Sequence, residues 1–577
     1  MYVYIYLHAH VQRHGYQLVI LPSLFSTISQ RSKICMSISM SFVTEKMEIK
    51  KLELSSQRTL FSPGHGNLEI HARCKSVNVK QLTALQALRA YKPAVLWSVM
   101  VCMCAVMEGY DTILIPNFYA FPAFAAKYGT YDEKTGTNQL TAQWQVALGN
   151  AAGIGALFGI MANGILVSWF GHKKVLLASL LVLTFLNTIT FVAQNTLVLF
   201  LGELLCGLPW GIIATIAPAY SSEVLPLPLR TYLTSYTNIC FIIGQIFAAG
   251  SLDGFLSVKG SWSYRGAFAL QWVWIVFIFP VLLFMPESPW RLVRLGKIGE
   301  AEDILARLQS KGHRDNIKET LAMIIRTNSD EEQLLKGIHY RDCFRGTERR
   351  RTEIACMAAA GQMLAGLIFA YSATYFYQQI HLSTSNIYRL NLGGSILSLF
   401  SALVSWFFIT PYVGRRKIYL SGMSAISVIL FLIGFLGIDG SNKVVPILQA
   451  TLIFLWISIF QISAGQLGWA IPAEVGSTRL RQKTICLSRG FFHIINLLGK
   501  IVEPYFMNPT QLNLKGFTAF FWGGTSLLTA IWIYLRLPET KDRSFEELNN
   551  LFARNVPTRK FTSFNIESYQ DSGEKPE

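Results

Sequence analysis

A charged motif that follows one apolar run of this chain recurs after another run in the second half. Glu223 and Arg230 are seven residues apart in PAYSSEVLPLPLR, and Glu474 and Arg481 are seven residues apart in PAEVGSTRLR. The second pair follows the first by about 250 positions, close to half the length of the chain. A repeat of this kind, with charged residues between apolar runs, is typical of a membrane protein built from two similar halves.

Two further motifs recur at a similar distance. GHKK at residues 171–174 corresponds to GRRK at 414–417, and PES at 286–288 corresponds to PET at 538–540. Because these motifs also lie at the ends of apolar runs, the repeat covers most of the chain beyond residue 92.

The composition favours a bilayer as the surroundings of this protein. Charged residues make up 15% of the 577 residues and the mean hydropathy is +0.35, whereas a soluble domain has about 25% charged residues. Apolar runs of about 20 residues can cross the hydrocarbon core as helices. We predict an all-α integral membrane protein with twelve transmembrane helices in two halves of six. The predicted spans are 94–116, 143–167, 174–194, 197–220, 233–252, 266–285, 354–377, 390–411, 417–437, 444–471, 485–507 and 516–536.

These spans divide the chain into five segments. They are an N-terminal tail at 1–92, a first half at 93–285, a central loop at 286–353, a second half at 354–536 and a C-terminal tail at 537–577. We expect the first segment to be a disordered cytoplasmic tail, or to lie partly upstream of a true start at Met40 or Met47. In the central loop, apolar residues at helical spacing in GKIGEAEDILARLQ predict an amphipathic helix on the cytoplasmic face or a plain linker helix.

Basic residues are concentrated in every second connector. They include Lys173, Arg230, Arg415, Arg416 and Arg481. Because basic connectors remain in the cytoplasm, both termini are predicted to be cytoplasmic. The net charge of +17 comes from cations beside membrane spans and not from a basic–aromatic patch, so we expect no nucleic-acid partner. The sequence leaves the oligomeric state open.

Two acids occur inside the first span. Glu108 and Asp111 are three residues apart and therefore share a helix face. A carboxylate at membrane depth is costly, so such a residue is a candidate functional group by default. Burial and a neighbouring like charge both favour the protonated form of one of the pair, as a proton carrier requires. The alternative is a solvated pair at the mouth of a cavity.

Several motifs, in order along the chain, resemble those of the sugar porters of the major facilitator superfamily. They are GYD at 109–111, PESPWRL at 286–292, GRRK at 414–417, the two Glu–Arg pairs and PETKDRSFEEL at 538–548. MEGYDT, GLPWG at 207–211, STRLRQKT at 477–484 and PYFMNP at 504–509 are similar to motifs of the fungal α-glucoside (maltose-type) proton symporters. The resemblance covers about residues 94 to 552. It implies two pseudo-symmetric six-helix bundles, a central sugar site, alternating access and import of a sugar with a proton, without any other cofactor.

The resemblance also implies roles for individual residues. Asp111 stands where the proton-coupled members have an Asp, with Glu108 as a second candidate. Glu203 stands where many sugar porters have an Arg, so a third acid either shares the proton or faces a lateral surface. The maltose-type relatives often have a glutamate where this chain reads Gly155-Ala156.

Candidate sugar contacts are polar or aromatic residues in otherwise apolar spans, because sugars need hydrogen bonds and an aromatic face. Four of them match positions that line the family's cavity: Gln245, Gln271, Gln362 and Trp469. Tyr371 and Asn391 are two further candidates. The alternative for each Gln is a hydrogen bond between helices. Lys500 and Glu503, near the end of the eleventh span, are expected to pair locally.

The resemblance predicts a cytoplasmic gate of charges that join the halves when the protein faces outward. The gate residues are Glu223, Arg230, Glu474, Arg481, Arg415, Arg416 and Lys173. Ser168 and Trp169 replace an Asp and an Arg of the family motif, and Pro411 replaces the Asp of the second half. We therefore expect a weaker network and an inward-facing state of lower energy.

Other classes of function receive less support from the sequence. A hexose or polyol uniporter and a sugar sensor that does not transport remain as alternatives. No nucleophile–base constellation, metal-ligand spacing or phosphate loop is present, so we expect neither an enzyme nor a metal site. We expect a plasma-membrane protein.

Overall fold

The computed structural model describes residues 84–561, apart from gaps at 134–135, 311–316, 336–338, 381, 411, 439–443, 478–479, 542, 544 and 555. Contacts divide the chain after Cys74, and all the described residues belong to the unit that begins at Lys75. The predictions for residues 1–83, including the alternative starts, and for Pro411 lie outside the described residues.

Within these described residues, twelve helices are long and apolar enough to cross a membrane. We label them α1 (Lys92–Phe118), α2 (Ala142–Phe170), α3 (His172–Val192), α4 (Thr196–Val224), α5 (Leu227–Phe255), α6 (Trp262–Leu283), α7 (Gly346–Tyr371), α8 (Thr384–Ile409), α9 (Arg415–Leu436), α10 (Val445–Val475), α11 (Arg481–Met507) and α12 (Lys515–Arg536). Each of the twelve predicted spans overlaps one of these helices, so the predicted count and order are confirmed.

Shorter elements connect the spans. An antiparallel hairpin of strands β1 (Thr130–Asp132) and β2 (Thr137–Gln139) lies between α1 and α2. The short helices are Ala84–Ala90, Pro122–Tyr128, Pro289–Arg294, Ile298–Leu308, Ile317–Leu335, Tyr340–Phe344, Ala373–Gln379, Phe545–Ala553 and Thr558–Lys560.

Helix neighbours repeat between the halves. In the first half α1 packs on α5, α2 on α4 and α3 on α6; in the second half α7 packs on α11, α8 on α10 and α9 on α12. The halves contact each other through α5 with α8 and through α2 with α11, which is again a symmetric arrangement. The predicted pseudo-symmetric pair of six-helix bundles is therefore present.

Backbone contact through small residues sets the spacing of α2 and α4. A Cβ atom at Gly155 would lie 2.1 Å from the carbonyl oxygen of Leu204, and one at Gly207 would lie 2.2 Å from that of Ala152. Lipid gives no hydrophobic drive for helices to associate, so close packing of this kind supplies much of the attraction between them.

Two spans of the second half are interrupted near their middle. In α7 the helix is broken at Gly366, where φ is 90°, and α10 divides at Ser463 into Val445–Ile462 and Ala464–Val475. Interrupted helices at membrane depth occur where the backbone is covered by protein or lines a cavity. Leu367, Phe460 and Gln461, beside these breaks, line the cavity described below.

The predicted helix of the central loop is present as Ile298–Leu308. Its apolar residues Ala301, Leu305 and Leu308 are buried, and the first two pack with Leu292 and Leu321 of the neighbouring short helices. The helix is amphipathic as predicted, and its apolar face is covered by protein.

Replacing Gly155 by alanine should weaken the packing of α2 on α4. The added methyl group overlaps the Leu204 carbonyl, and forcing such a group into a packed interface costs about 1–3 kcal/mol. Thermal unfolding of the purified protein in detergent measures the loss. Gly164→Ala on the same helix is the control, because nothing lies within 4 Å of its added Cβ. Equal unfolding midpoints for the two variants would contradict the role of this contact.

Candidate functional site

Three acids come together inside the first half. Asp111 on α1 is 9% exposed and Glu203 on α4 is 2% exposed, and the two carboxyl groups interact electrostatically. Gln271 on α6 donates a hydrogen bond from Nε2 to Oδ1 of Asp111 at 2.7 Å. Glu108, one turn before Asp111, has a buried Oε2 without a hydrogen-bond partner in the described structure. The three predicted coupling acids thus form one cluster, in which Asp111 and Glu203 are buried.

A lysine of the second half reaches this cluster. Lys500 on α11 donates a hydrogen bond from Nζ to the carbonyl oxygen of Gly149 on α2 at 2.9 Å and interacts electrostatically with Asp111. The expected local pair with Glu503 is wrong, because Glu503 accepts a hydrogen bond from the Trp522 indole of α12 at 2.6 Å, whereas Lys500 is bound to α2.

A cavity of about 60 Å³, partly open to solvent and lined by both polar and apolar side chains, lies between the halves. Three predicted sugar contacts line it: Gln245 of the first half, and Tyr371 and Asn391 of the second. Asn391 Nδ2 has no hydrogen-bond partner in the described part of the chain, so it is available to a ligand.

Further residues of the cavity were missed from the sequence. They are Asn117, Tyr377, Ser395, Ser398, Trp456 and Gln461. Gln461 Oε1 is buried and has no hydrogen-bond partner among the described residues. The spacing of Asn391, Ser395 and Ser398 places them on one face of α8, a pattern that helical periodicity could have identified.

The other three predicted sugar contacts do not line this cavity. Gln271 is bound to Asp111, and Gln362 donates from Nε2 to the carbonyl oxygen of Gly465 at 2.8 Å. The guanidinium carbon of Arg489 lies 3.2 Å from the ring centroid of Trp469. In this conformation the cation therefore occupies one ring face that was predicted to stack on a sugar.

Hydrogen bonds join the halves at the end of the bundle that lies away from the basic connectors. The Asn117 side chain accepts a hydrogen bond from Thr374 at 2.9 Å, and its carbonyl accepts one from the Tyr388 hydroxyl at 2.8 Å. Asn508 donates from Nδ2 to the carbonyl of Leu140 at 3.0 Å. These bonds close that end of the cavity.

At the basic end, the predicted gate glutamates have partners in their own half or in the segment that follows it. Glu223 lies 3.5 Å from Arg294 and accepts a hydrogen bond from Ser288. Glu474 lies 3.4 Å from Arg415 and accepts a hydrogen bond from Thr540 at 2.6 Å.

The Arg230 and Arg481 side chains lie outside the described residues, so the two Glu–Arg pairs stay predictions. Lys173 occupies the first turn of α3, and Arg416 donates to the Tyr534 carbonyl at 2.8 Å.

The recurring PES and PET motifs have the same structural role. Glu287 accepts a hydrogen bond from the His172 amide at 3.1 Å, at the start of α3. Glu539 accepts one from the Arg415 amide at 2.8 Å, at the start of α9. An acid at a helix N-terminus binds unpaired amides and complements the helix dipole. Burial opposes ionisation of Glu287, but hydrogen bonds from His172 and Ser288, together with electrostatic attraction from His172 and Arg291, outweigh it and lower the pKa of this carboxyl.

Two six-helix halves around a polar cavity that is closed at one end define a membrane transporter of the major facilitator fold. The chain belongs to the sugar (and other) transporter family, whose model matches residues 97–552. It is therefore a multi-pass membrane transporter of sugars and not an enzyme.

Curated relatives come from yeast. The chain is 35% identical over 500 residues to the general alpha-glucoside permease of Saccharomyces cerevisiae, covering 85% of this chain and 80% of the relative. It is 32% identical over 492 residues to maltose permease MAL31 of the same species, covering 84% and 80%. Among solved structures, the xylose transporter XylE from E. coli, in a partially occluded inward open conformation, matches 78% of this chain and 100% of its own. That match has a TM-score of 0.63 and 18% identity, so it supports the fold alone.

Gln461→Leu should weaken sugar binding by about tenfold, because one hydrogen bond to a ligand contributes about 1–1.5 kcal/mol. Its unfolding midpoint should stay near that of the wild type, since its Oε1 has no partner to lose. Binding of glucose, xylose and maltose to the purified protein measures the change. Gln362→Leu is the matched comparison and should lower the unfolding midpoint, because it removes the donor to Gly465. Unchanged affinity in Gln461→Leu for every sugar that binds would contradict a ligand role.

Proposed function

We propose that this protein imports an α-glucoside such as maltose by proton symport with alternating access. The observations that carry the proposal are the cluster of Asp111, Glu203 and Glu108 in the first half and the separate cavity between the halves. Asp111 interacts electrostatically with both Glu108 and Glu203, so in a bilayer the three carboxyl groups cannot all be ionised without a large electrostatic cost. A shared proton relieves that cost, and the cluster can bind or release it as its surroundings change.

The proton is the coupling ion of this proposal, and no other cofactor is needed. Gln271 holds Asp111 in position by one hydrogen bond. The glutamate that maltose-type relatives carry in the second span has no space at Gly155, where the backbone of α4 is in contact. Glu203, on that same α4, supplies the third carboxyl in its place.

The chemistry of the cavity supports a sugar as substrate. Gln245, Asn391 and Gln461 offer amide groups to hydroxyls, and Tyr377 and Trp456 offer aromatic surface to the apolar face of a sugar ring. The names of the yeast relatives direct the choice within sugars toward α-glucosides.

We further propose that the protein lies in the plasma membrane. Both termini, which are the 1–92 segment and the 537–577 tail, then lie in the cytoplasm. The basic connectors support this orientation. The end closed by Asn117 and Asn508 is then extracellular, and the structure is an inward-facing state. Glu223 is bound to Arg294 of the central loop and Glu474 to Arg415 of its own half, which agrees with a gate that is open at the cytoplasmic end.

Uptake into sealed vesicles tests this function. With an inward proton gradient, vesicles that contain the protein should accumulate radiolabelled maltose above its external concentration, and a protonophore should abolish the accumulation. Equal uptake with and without the gradient would indicate a uniporter, and binding without uptake would indicate a sensor; either result overturns symport.

Asp111→Asn should retain maltose exchange across the vesicle membrane and lose accumulation, because the amide cannot release a proton. The control is Asp253→Asn on α5, a carboxyl outside the cluster. If Asp111→Asn accumulates maltose as the wild type does, Asp111 is not the coupling acid.

A further inference from the structure

Lys500 is a cation of the second half that contacts the first half inside the membrane region. Its ammonium group donates to the Gly149 carbonyl on α2. One turn earlier, Leu497 is the nearest side chain to Gly153 on α2, 3.7 Å from the position of an added Cβ. The α2–α11 contact therefore holds the lysine at the boundary between the halves.

The same boundary borders the acidic cluster. The Tyr119 hydroxyl lies 3.2 Å from the position that a Cβ of Gly149 would occupy, and Tyr119 interacts electrostatically with Glu203. Lys500 itself interacts with Asp111. The lysine thus contacts α2 at Gly149, next to Tyr119, and interacts across the boundary with Asp111, which in turn interacts with Glu203.

Other titratable groups around Lys500 are either farther along α11 or already engaged. His493 and Arg489 precede it on the same helix, and Arg489 stacks on Trp469. Glu503 is bound to Trp522. From the first half the acids are Asp111 and Glu203, with Glu108 next to Asp111.

We propose that Lys500 is a positioning residue for proton coupling: it places a positive charge beside Asp111 when the extracellular end is closed and withdraws that charge when this end opens. This inference rests on the proposed symport. Opening of the extracellular end separates α11 from α2, which breaks the Lys500–Gly149 bond and carries the ammonium group away from the cluster.

The direction of this effect suits import. A cation close to a carboxylate favours the ionised form, so the closed extracellular end favours proton release to the cytoplasm. Removal of the cation leaves acids of like charge in a poorly solvated site, which favours proton uptake from outside. Because this lysine moves with the second half, the acidic cluster binds its proton more weakly when the protein faces inward than when it faces outward.

Variants of Lys500 in sealed vesicles test the proposal. Lys500→Met should reduce gradient-driven maltose accumulation about tenfold or more while maltose exchange persists, because the acids then retain their proton on both sides. The external pH at which exchange is half-maximal should move to higher values. Lys500→Arg keeps the charge and should restore accumulation. Glu503→Gln, on the same helix but bound to Trp522, is the matched control and should behave as the wild type.

A double variant separates this role from a structural one. If Lys500 acts through Asp111, Asp111→Asn combined with Lys500→Met should exchange maltose no more slowly than Asp111→Asn alone. If Lys500→Met alone fails to reach the membrane because an acid loses its counter-charge, the double variant should recover expression. Losses that add in the double variant, or normal accumulation by Lys500→Met, overturn the inference. Absence of gradient-driven accumulation in the wild type overturns the proposed symport instead.

Discussion

Lipid offers no hydrogen bonds, so every polar group inside the bilayer must find its partner within the protein. This constraint separates five of the intramembrane site residues into two sets. Gln362 and Gln271 are bound to a neighbouring carbonyl or carboxylate and hold helices or an acid in place. Glu108, Asn391 and Gln461 each keep a buried atom without a partner among the described residues. The second set lies at the acidic cluster and in the cavity, where a proton or a sugar can supply the missing partner.

The two halves repeat their structural features but not their functional ones. Glu287 and Glu539 bind the first amides of α3 and α9 in the same manner. The acids of the cluster, in contrast, are on α1 and α4 of the first half, and most polar residues of the cavity are on α7, α8 and α10 of the second. Coupling under the proposed function must therefore pass between the halves, through a contact that changes when they move.

The sequence predicted the fold well because the relevant signals are local. Apolar runs define twelve spans, and the short motifs at their ends define the repeat. The composition of the acidic cluster was also predictable, since a carboxyl inside an apolar run is visible without a structure. Partners distant in sequence were not predictable: Glu223 contacts Arg294, and Lys500 contacts Gly149 instead of Glu503. A pairing of this kind depends on helix packing, and for Lys500 the nearby Glu503 was a misleading guide to it.

The cavity shows the same limit. Gln245, Tyr371 and Asn391 were identified as polar or aromatic residues in apolar spans, but so were Gln362 and Gln271, which are engaged elsewhere. Composition cannot separate a glutamine that binds a helix from one that faces a cavity, because both are costly in lipid and both are tolerated once they are paired. Gln461 faces the cavity because α10 is interrupted at Ser463, two residues further on. Where the helix is broken, a side chain lies beside backbone that already borders the cavity, and its amide is left for a ligand.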